Sequence, residues 1–295
     1  MRTIHLCLAG VVLASACTTL TPKPAAQFEA ARTSFHQPDV RSVVIVIFEN
    51  KDESAVRAQP YFGRLVTEGA YCTRYFAVAH PSQPNYVAMI SGSTDGVRGD
   101  HPARLTRPHL GQQLRDWMVY AEGYPAGTCD LRPRIGRYAR KHVPFLSFAD
   151  VQDDSELCKT HVTDFAAFLT AARSHTLPSF SLVIPDMDHD AHDQPLAVAD
   201  EWLRTNFAPL REDPLFNKDV LLIVTFDEDD TDPPYVRNRR NNHIYTVFLG
   251  DSVVPGMIDT PYDHYDLLRT VEEIFHLQPM AHGDGSATVI GGMWR

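Results

Sequence analysis

The sequence predicts an α/β fold: a central, mostly parallel β-sheet flanked by helices on both faces. Three observations predict it. Residues 41–48 (RSVVIVIF) and 220–226 (VLLIVTF) are continuous β-branched runs, the pattern of strands buried on both sides. Segments with helical spacing alternate with such runs, which calls for crossover connections and parallel pairing. Each run also stops on acidic or amide groups, Glu49-Asn50 and Asp227-Glu228, at the carboxyl edge where ligands of such sheets gather.

The elements follow in chain order. Met1-Arg2-Thr3 precede an apolar run over 4–16 that is too short to span a bilayer and has the shape of an export leader. It ends Leu13-Ala14-Ser15-Ala16-Cys17, which reads as a lipoprotein signal with Cys17 acylated; Ala14-x-Ala16 also fits plain cleavage, and Ala14 stands where a lipobox usually has Leu. The expected location is therefore the periplasm, free or anchored to a membrane by lipid. Residues 17–39 carry Pro, Ala and Gln without periodicity and read as a tether, leaving 40–295 as one folded domain. After the strand at 41–48, Ser82 reads as a helix N-cap, with Pro84 in the first turn and apolar residues 86–90 behind. Leu110, Leu114, Trp117 and Met118 predict a helix, as do Phe165, Phe168 and Leu169, and Val198 with Trp202 inside 197–208. Shorter strands are expected at 181–184 and 244–249, and Leu267, Leu268, Val271, Ile274 and Phe275 form the stripe of a last helix, with His264 ahead of it.

Composition narrows the function. The 295 residues are 44% hydrophobic, enough for a sizeable core. With 27 basic against 37 acidic residues the net charge is −10, and no basic run occurs. That argues against nucleic acid and gives no electrostatic attraction to anionic lipid, so the expected membrane contact is only the N-terminal anchor. Once the leader is removed and Cys17 lipidated, Cys72, Cys129 and Cys158 remain, which suggests one disulfide, Cys129 with Cys158, and one buried thiol. No C-x-x-C pair exists, so a cysteine zinc site is disfavoured.

The chemistry concentrates at His80-Pro81-Ser82-Gln83-Pro84-Asn85-Tyr86. A helix start aims free N–H groups outward, and Ser82 and Asn85, about one turn apart, point the same way toward a single phosphoryl group. Alone, Ser-x-x-Asn is an ordinary capped helix. The acidic strand ends change that reading, because carboxylates gathered in one crevice share a proton or hold a cation. Glu49, Asn50, Asp227, Glu228 and the Ser82 hydroxyl form a hard-metal shell, and a metal on Ser82 yields an alkoxide nucleophile.

A third signal is the loop at 184–193, with four Asp and two His. There His192 is a proton donor or phosphate ligand, Asp190 a further phosphate-side candidate, and His189 is expected to be exposed. Lys141 and His142 bring positive charge to an acidic chain, His264 is a further phosphate-side candidate, and His243 stands evenly between lining the site and not. There is no G-x-S-x-G, Walker A or H-E-x-x-H segment, which removes serine esterases, P-loop enzymes and zincins.

The order of Phe48-Glu49-Asn50, then HPSQPNY followed by Ser91-Gly92, Asp190-Ala191-His192-Asp193, Thr225-Phe226-Asp227-Glu228 and residues 264–270 (HYDLLRT) resembles the phosphoesterase family. That family joins bacterial and fungal acid phosphatases with non-haemolytic phospholipases C, within the alkaline phosphatase superfamily. The likeness spans about 41–277, and 117–125 and 141–145 also look like family segments. It implies an alkaline-phosphatase-like fold, a metal on Glu49, Asn50, Ser82, Asp227 and Glu228, a phosphoserine at Ser82, and phosphate contacts from Asn85 and His192. Two segments depart from the pattern: Asp186 follows Pro185 where the family usually has Asn, and Lys51-Asp52-Glu53-Ser54 replaces the His-Ser-Phe-Asp of the larger enzymes.

The expected function is an exported, metal-dependent phosphomonoesterase acting on a phosphate ester substrate, with magnesium, calcium, manganese or zinc all compatible with oxygen ligands. A phospholipase C-type diesterase is the nearby alternative. A lipoprotein that binds phosphate or metal without turnover, or one whose acidic clusters hold calcium for stability alone, are alternatives of other classes.

Overall fold

The computed structural model describes residues 35, 37–230, 242–280 and 282–295. The leader, Cys17 and nearly all of the tether lie outside the described residues.

The main sheet has eight strands: β1 (Ser42–Phe48), β2 (Ala70–Cys72), β3 (Trp117–Ala121), β4 (Val162–Thr163), β5 (Phe180–Ile184), β6 (Val220–Phe226), β7 (Thr246–Leu249) and β8 (Gly256–Ile258). Their order across the sheet is β8-β2-β7-β6-β1-β5-β3-β4. β1 pairs in parallel with β6 on one side and β5 on the other, and β3 pairs in parallel with β5 and β4. Only β7 runs against its neighbours, β6 and β2. The sheet is thus mostly parallel, as the continuous apolar runs require, and β1 and β6 are buried at every position.

Around the sheet lie helices α1 (Pro60–Glu68), α2 (Ser82–Ser91), α3 (Phe165–Arg173), α4 (Leu196–Arg211) and α5 (His264–Ile274). Phe48 at the end of β1 packs edge-on against Phe62 of α1 and Trp202 of α4, and Phe165 of α3 continues that layer. Elsewhere α2 packs against α5. Every residue of α2 is buried, unusual for a helix that begins Ser-Gln-Pro-Asn, so its polar start is inside the molecule for a reason other than solvation. At its other end Gly92 is left-handed (φ 71°), and a Cβ there would lie 2.2 Å from Asp284 Oδ1.

Four sequence expectations need correction. Leu110 to Met118 is not one helix: a short turn, Leu110–Gln113, gives way to β3 at Trp117. The Trp117 ring packs so close that a Cβ on Gly111 would meet it at 2.8 Å, and β3 finds its partner in β5; tertiary pairing overrides helical spacing. The strand expected at 244–249 is two: His243–Ile244 pairs with Tyr75–Phe76 in a small second sheet, and β7 joins the main one. Ser82 is the first helical residue rather than the cap; Pro81 takes the cap position and its side chain caps nothing, which leaves the Ser82 hydroxyl for another partner. His264 likewise lies inside α5, capped by Asp263 in a reciprocal pair with Asp266.

Cys129 and Cys158 form the expected disulfide, and Cys72 is a buried free thiol. Among the described residues no helix is long and apolar enough to cross a membrane.

Candidate active site

The register of β1 against β6 places Phe48 opposite Phe226, so the residues that follow leave the sheet side by side. Asp227 N–H donates to the Phe48 carbonyl (2.9 Å), and Asp227 Oδ1 accepts the N–H groups of Asn50 (3.1 Å) and Glu228 (2.7 Å). Asn50 takes the left-handed backbone (φ 47°) this tight exchange needs, a conformation Asn tolerates better than most residues. From the other side of β1, the Asp190 carbonyl accepts the Glu49 N–H (2.8 Å). The ends of β1 and β6 and the loop after β5 are thereby locked together.

Ser82 Oγ stands at the centre. It lies 2.9 Å from Glu49 Oε2, 3.2 Å from Glu228 Oε1 and 3.5 Å from Asn50 Oδ1, and accepts from Lys141 Nζ at 3.3 Å. Lys141 also binds Asp100 Oδ2 (2.9 Å) and approaches Glu49 Oε2 (3.9 Å). Behind Glu49, Tyr86 donates its O–H to Oε1 (2.5 Å), and His142, stacked on the Tyr86 ring, reaches the same oxygen at 3.2 Å. His80 Nδ1 is paired with Glu228 Oε2, and its Nε2 lies 3.6 Å from Asp229.

The charges sort by environment. Burial works to raise the Glu49 carboxyl, but His142 and Lys141 beside it prevail and hold it at about 2. Asp227 goes the other way, well above the carboxylate range, because it is buried and faces the charges of Glu49 and Glu228. Glu228 is raised by burial, which outweighs the His80 contact. Lys141 stays an ammonium: burial lowers it, yet Glu49 and Asp100 more than compensate. Asp227 Oδ2 is buried without a hydrogen-bond partner among the described residues. An orphaned acceptor beside two further carboxylates is a poor arrangement for protein alone and a good one for a hard cation.

The structure thus brings Glu49, Asn50, Ser82, Asp227, Glu228 and Lys141 together, and moves other expected residues aside. Asn85 does not share a ligand-facing side with Ser82: its Oδ1 accepts from the N–H groups of Val78 (3.1 Å) and Ala79 (2.9 Å), and its Nδ2 donates to the Ala79 (2.9 Å) and Pro81 (3.4 Å) carbonyls. A wholly buried amide satisfies local backbone first, so Asn85 shapes the turn that presents Ser82. His264 is fully buried, with Nε2 on the Asp227 carbonyl (2.8 Å) and Nδ1 3.4 Å from the Tyr75 hydroxyl; burial pushes it down to about 4, and both ring nitrogens are turned to protein groups. His142 lies between Glu49 and Asp190 (3.5 Å). Asp190 is buried and raised to about 9 by desolvation and the Glu49 charge; it organises the loop through His192 N–H (2.8 Å). His192 itself is exposed, with Nδ1 on Asp193 (2.8 Å). His189 is only half exposed, and pairs with Glu122 (2.9 Å). His243 Nε2 donates to the Thr73 carbonyl (3.0 Å).

Sequence reasoning passed over His80, Tyr86 and Asp100 as site residues. His80 and Tyr86 flank Ser82 in the same motif, and Tyr86, four residues on, falls on the Ser82 side of the helix by simple periodicity. Asp100 offered no such signal, being an isolated acid in a loop.

The chain matches the Phosphoesterase family over residues 28–278. A phosphatidylinositol-3-phosphatase of Mycobacterium tuberculosis is 34% identical over 266 residues, 87% of this chain and 84% of that one. A phosphate-repressible acid phosphatase of Penicillium chrysogenum is 29% identical, covering 98% and 74%. Among solved structures, an alkaline phosphatase superfamily protein from Vibrio parahaemolyticus shares the fold at a TM-score of 0.61, with 14% identity over 84% of this chain and 70% of that one. Sequence likeness across nearly the whole chain and the sheet architecture lead to one conclusion: the protein belongs to the phosphoesterase family and is a phosphoric ester hydrolase.

Proposed function

We propose that the protein is an exported, metal-dependent phosphomonoesterase that works through a phosphoserine at Ser82. The observation that carries this reading is the Ser82 hydroxyl, buried among Glu49, Asn50 and Glu228 with an ammonium 3.3 Å away. Glu49, Asn50, Ser82, Asp227 and Glu228 would hold the cation, magnesium, calcium, manganese or zinc. When bound, it lowers the pKa of the serine hydroxyl and draws charge from a phosphoryl oxygen.

The residues account for the rest. Ser82 gives its proton to the carboxylates it faces and forms the O–P bond, while Lys141 balances the negative charge that develops on the transferred group. The bond from phosphorus to the substrate alcohol breaks, and the alcohol oxygen takes a proton, for which the exposed His192 is the donor. Water then attacks the phosphoserine, phosphate leaves, and the proton returns to Ser82. Asn85, His264 and His142 hold the turn, the Asp227 carbonyl and Glu49 in place. The relatives named as phosphatases favour monoesters over a phospholipase C-type diester. Export is supported by the apolar leader and by the Cys129–Cys158 bridge, a bond that persists in oxidising compartments.

The test is to trap the intermediate. Incubation with a phosphate monoester and a divalent salt, an acid quench and mass spectrometry should show added phosphate on the peptide bearing Ser82. Ser82→Ala should stay folded and lose both label and turnover, and chelation should abolish turnover until metal is restored. Turnover that persists in Ser82→Ala would overturn the reading.

A further inference from the structure

Beside Ser82 lies a cavity of about 170 Å³ that the steps above do not use. Lys141, which touches the Ser82 oxygen, is one of its walls, and Gln83, the next residue in the chain, is another. Its volume is close to the roughly 150 Å³ of an engineered cavity that accepts benzene, so a single six-membered ring fits. Pro102, Pro133 and Met187 supply apolar contact.

Its charge is the unexpected part. In a protein of net charge −10, this cavity is lined by Arg134, Arg140 and Lys141 against a single carboxylate, Asp100. Arg140 is 8% exposed and has no carboxylate partner among the described residues. Its guanidinium donates to main-chain carbonyls, of Leu131 (2.8 Å), Leu146 (2.6 Å) and Ala103 (3.5 Å), and its Nε is buried with no partner among the described residues. A buried cation without a counter-ion costs free energy unless an anion completes it. At the rim, exposed Arg134 lies 3.2 Å from Asp193, which itself holds His192. The rim of the cavity and the proposed proton donor are therefore joined through one carboxylate.

We propose that this cavity receives the leaving alcohol and selects one of single-ring size that carries a second anionic group. The proposal rests on the phosphomonoesterase reading, with the phosphoryl group at Ser82 and the alcohol beyond it. Arg134 meets the anion at the rim, Arg140 supplies a fixed field from behind, and the prolines and Met187 take the ring face. Selection of this kind weakens with salt, because the rim is exposed.

Two isosteric substrates isolate the charge: 4-carboxyphenyl phosphate and 4-carbamoylphenyl phosphate. The wild-type enzyme, loaded with the divalent ion that best supports turnover, should prefer the carboxylate in kcat/KM by roughly tenfold, the size of one charge-assisted hydrogen bond. Arg134→Gln should bring that ratio close to one, and Arg134→Lys should keep part of it; thermal melts confirm that both variants fold. Equal use of the two esters by wild type, or a preference that Arg134→Gln leaves intact, would overturn the subsite while leaving the phosphatase standing. Hydrolysis of neither ester with any divalent ion would overturn both.

Discussion

At the residue scale, the site is a set of side chains with one function each, and most of them hold others in place. Glu49 is the clearest case. It is fully buried, yet stays ionised because Tyr86, His142 and Lys141 all point at it. Tyr86→Phe keeps the ring stacked on His142 and removes only the O–H that Glu49 Oε1 accepts. Removing one of the two groups at a buried carboxylate oxygen, with His142 the other at 3.2 Å, costs about 1 kcal/mol, so the melting temperature and kcat should both fall. An unchanged melt would show that this hydrogen bond contributes nothing. Legibility at this scale followed chemistry: Ser82, Glu49, Asn50, Asp227 and Glu228 declared themselves by residue type and position after apolar runs. Asn85, His142 and His264 have the right chemistry too, but a buried amide or imidazole answers to whichever backbone group is nearest, and no sequence pattern states that.

At the element scale, the polar start of α2 is inside the protein because β1 and β6 end beneath it, and its far end is pinned just as tightly. The Gly92 carbonyl accepts from Gly283 N–H (2.7 Å), and the missing Cβ leaves room for Asp284. Gly92→Ala should destabilise by more than about 1 kcal/mol in thermal or urea unfolding, since it adds both a left-handed φ and a clash. Gly96→Ala is the control: it shares the positive φ (78°), but nothing lies within 4 Å of its Cβ. If the two cost the same, the Asp284 contact is irrelevant. The helix misread over 110–118 makes the complementary point: spacing alone cannot tell a helix from a strand when the next strand, β5, decides the pairing.

For the whole molecule, two features outside the site set the conditions under which it stays folded. The Cys129–Cys158 bridge closes a separation of 29 residues, for which chain entropy predicts about 3–4 kcal/mol. Reduction should therefore lower the melting temperature by many degrees, and Cys72, buried with its thiol pushed far up, should not react with alkylating reagents until the protein unfolds. The second feature is Glu272 on α5, buried against Asp284 and Arg269, with Glu273 next to it on the same arginine. Burial and the Asp284 charge raise its carboxyl to about 8, against the opposing pull of Arg269. The folded protein then keeps a proton that the unfolded chain releases from about pH 4.5 upward. Stability contributed by that proton is full below the unfolded value and is lost as pH rises toward 8. Glu272→Gln should flatten this decline in melts taken between pH 5 and 8; an identical pH profile would refute the assignment.

The sequence by itself determined the sheet class and the strands that end at the site, suggested the disulfide, and singled out Ser82 with its acidic surroundings as the proposed nucleophile. These depend on local chemistry: β-branched runs that must be buried, and carboxylates that cannot be left idle at strand ends. Only the tertiary structure decided which histidines and amides lie against Ser82, that Asp100 and His80 join Lys141 there, and that a positively lined cavity opens beside Ser82. The reason is physical: such contacts join residues from β-strand ends, helix starts and loops far apart in the chain, and their energies exist only once the packed backbone has fixed the distances between them.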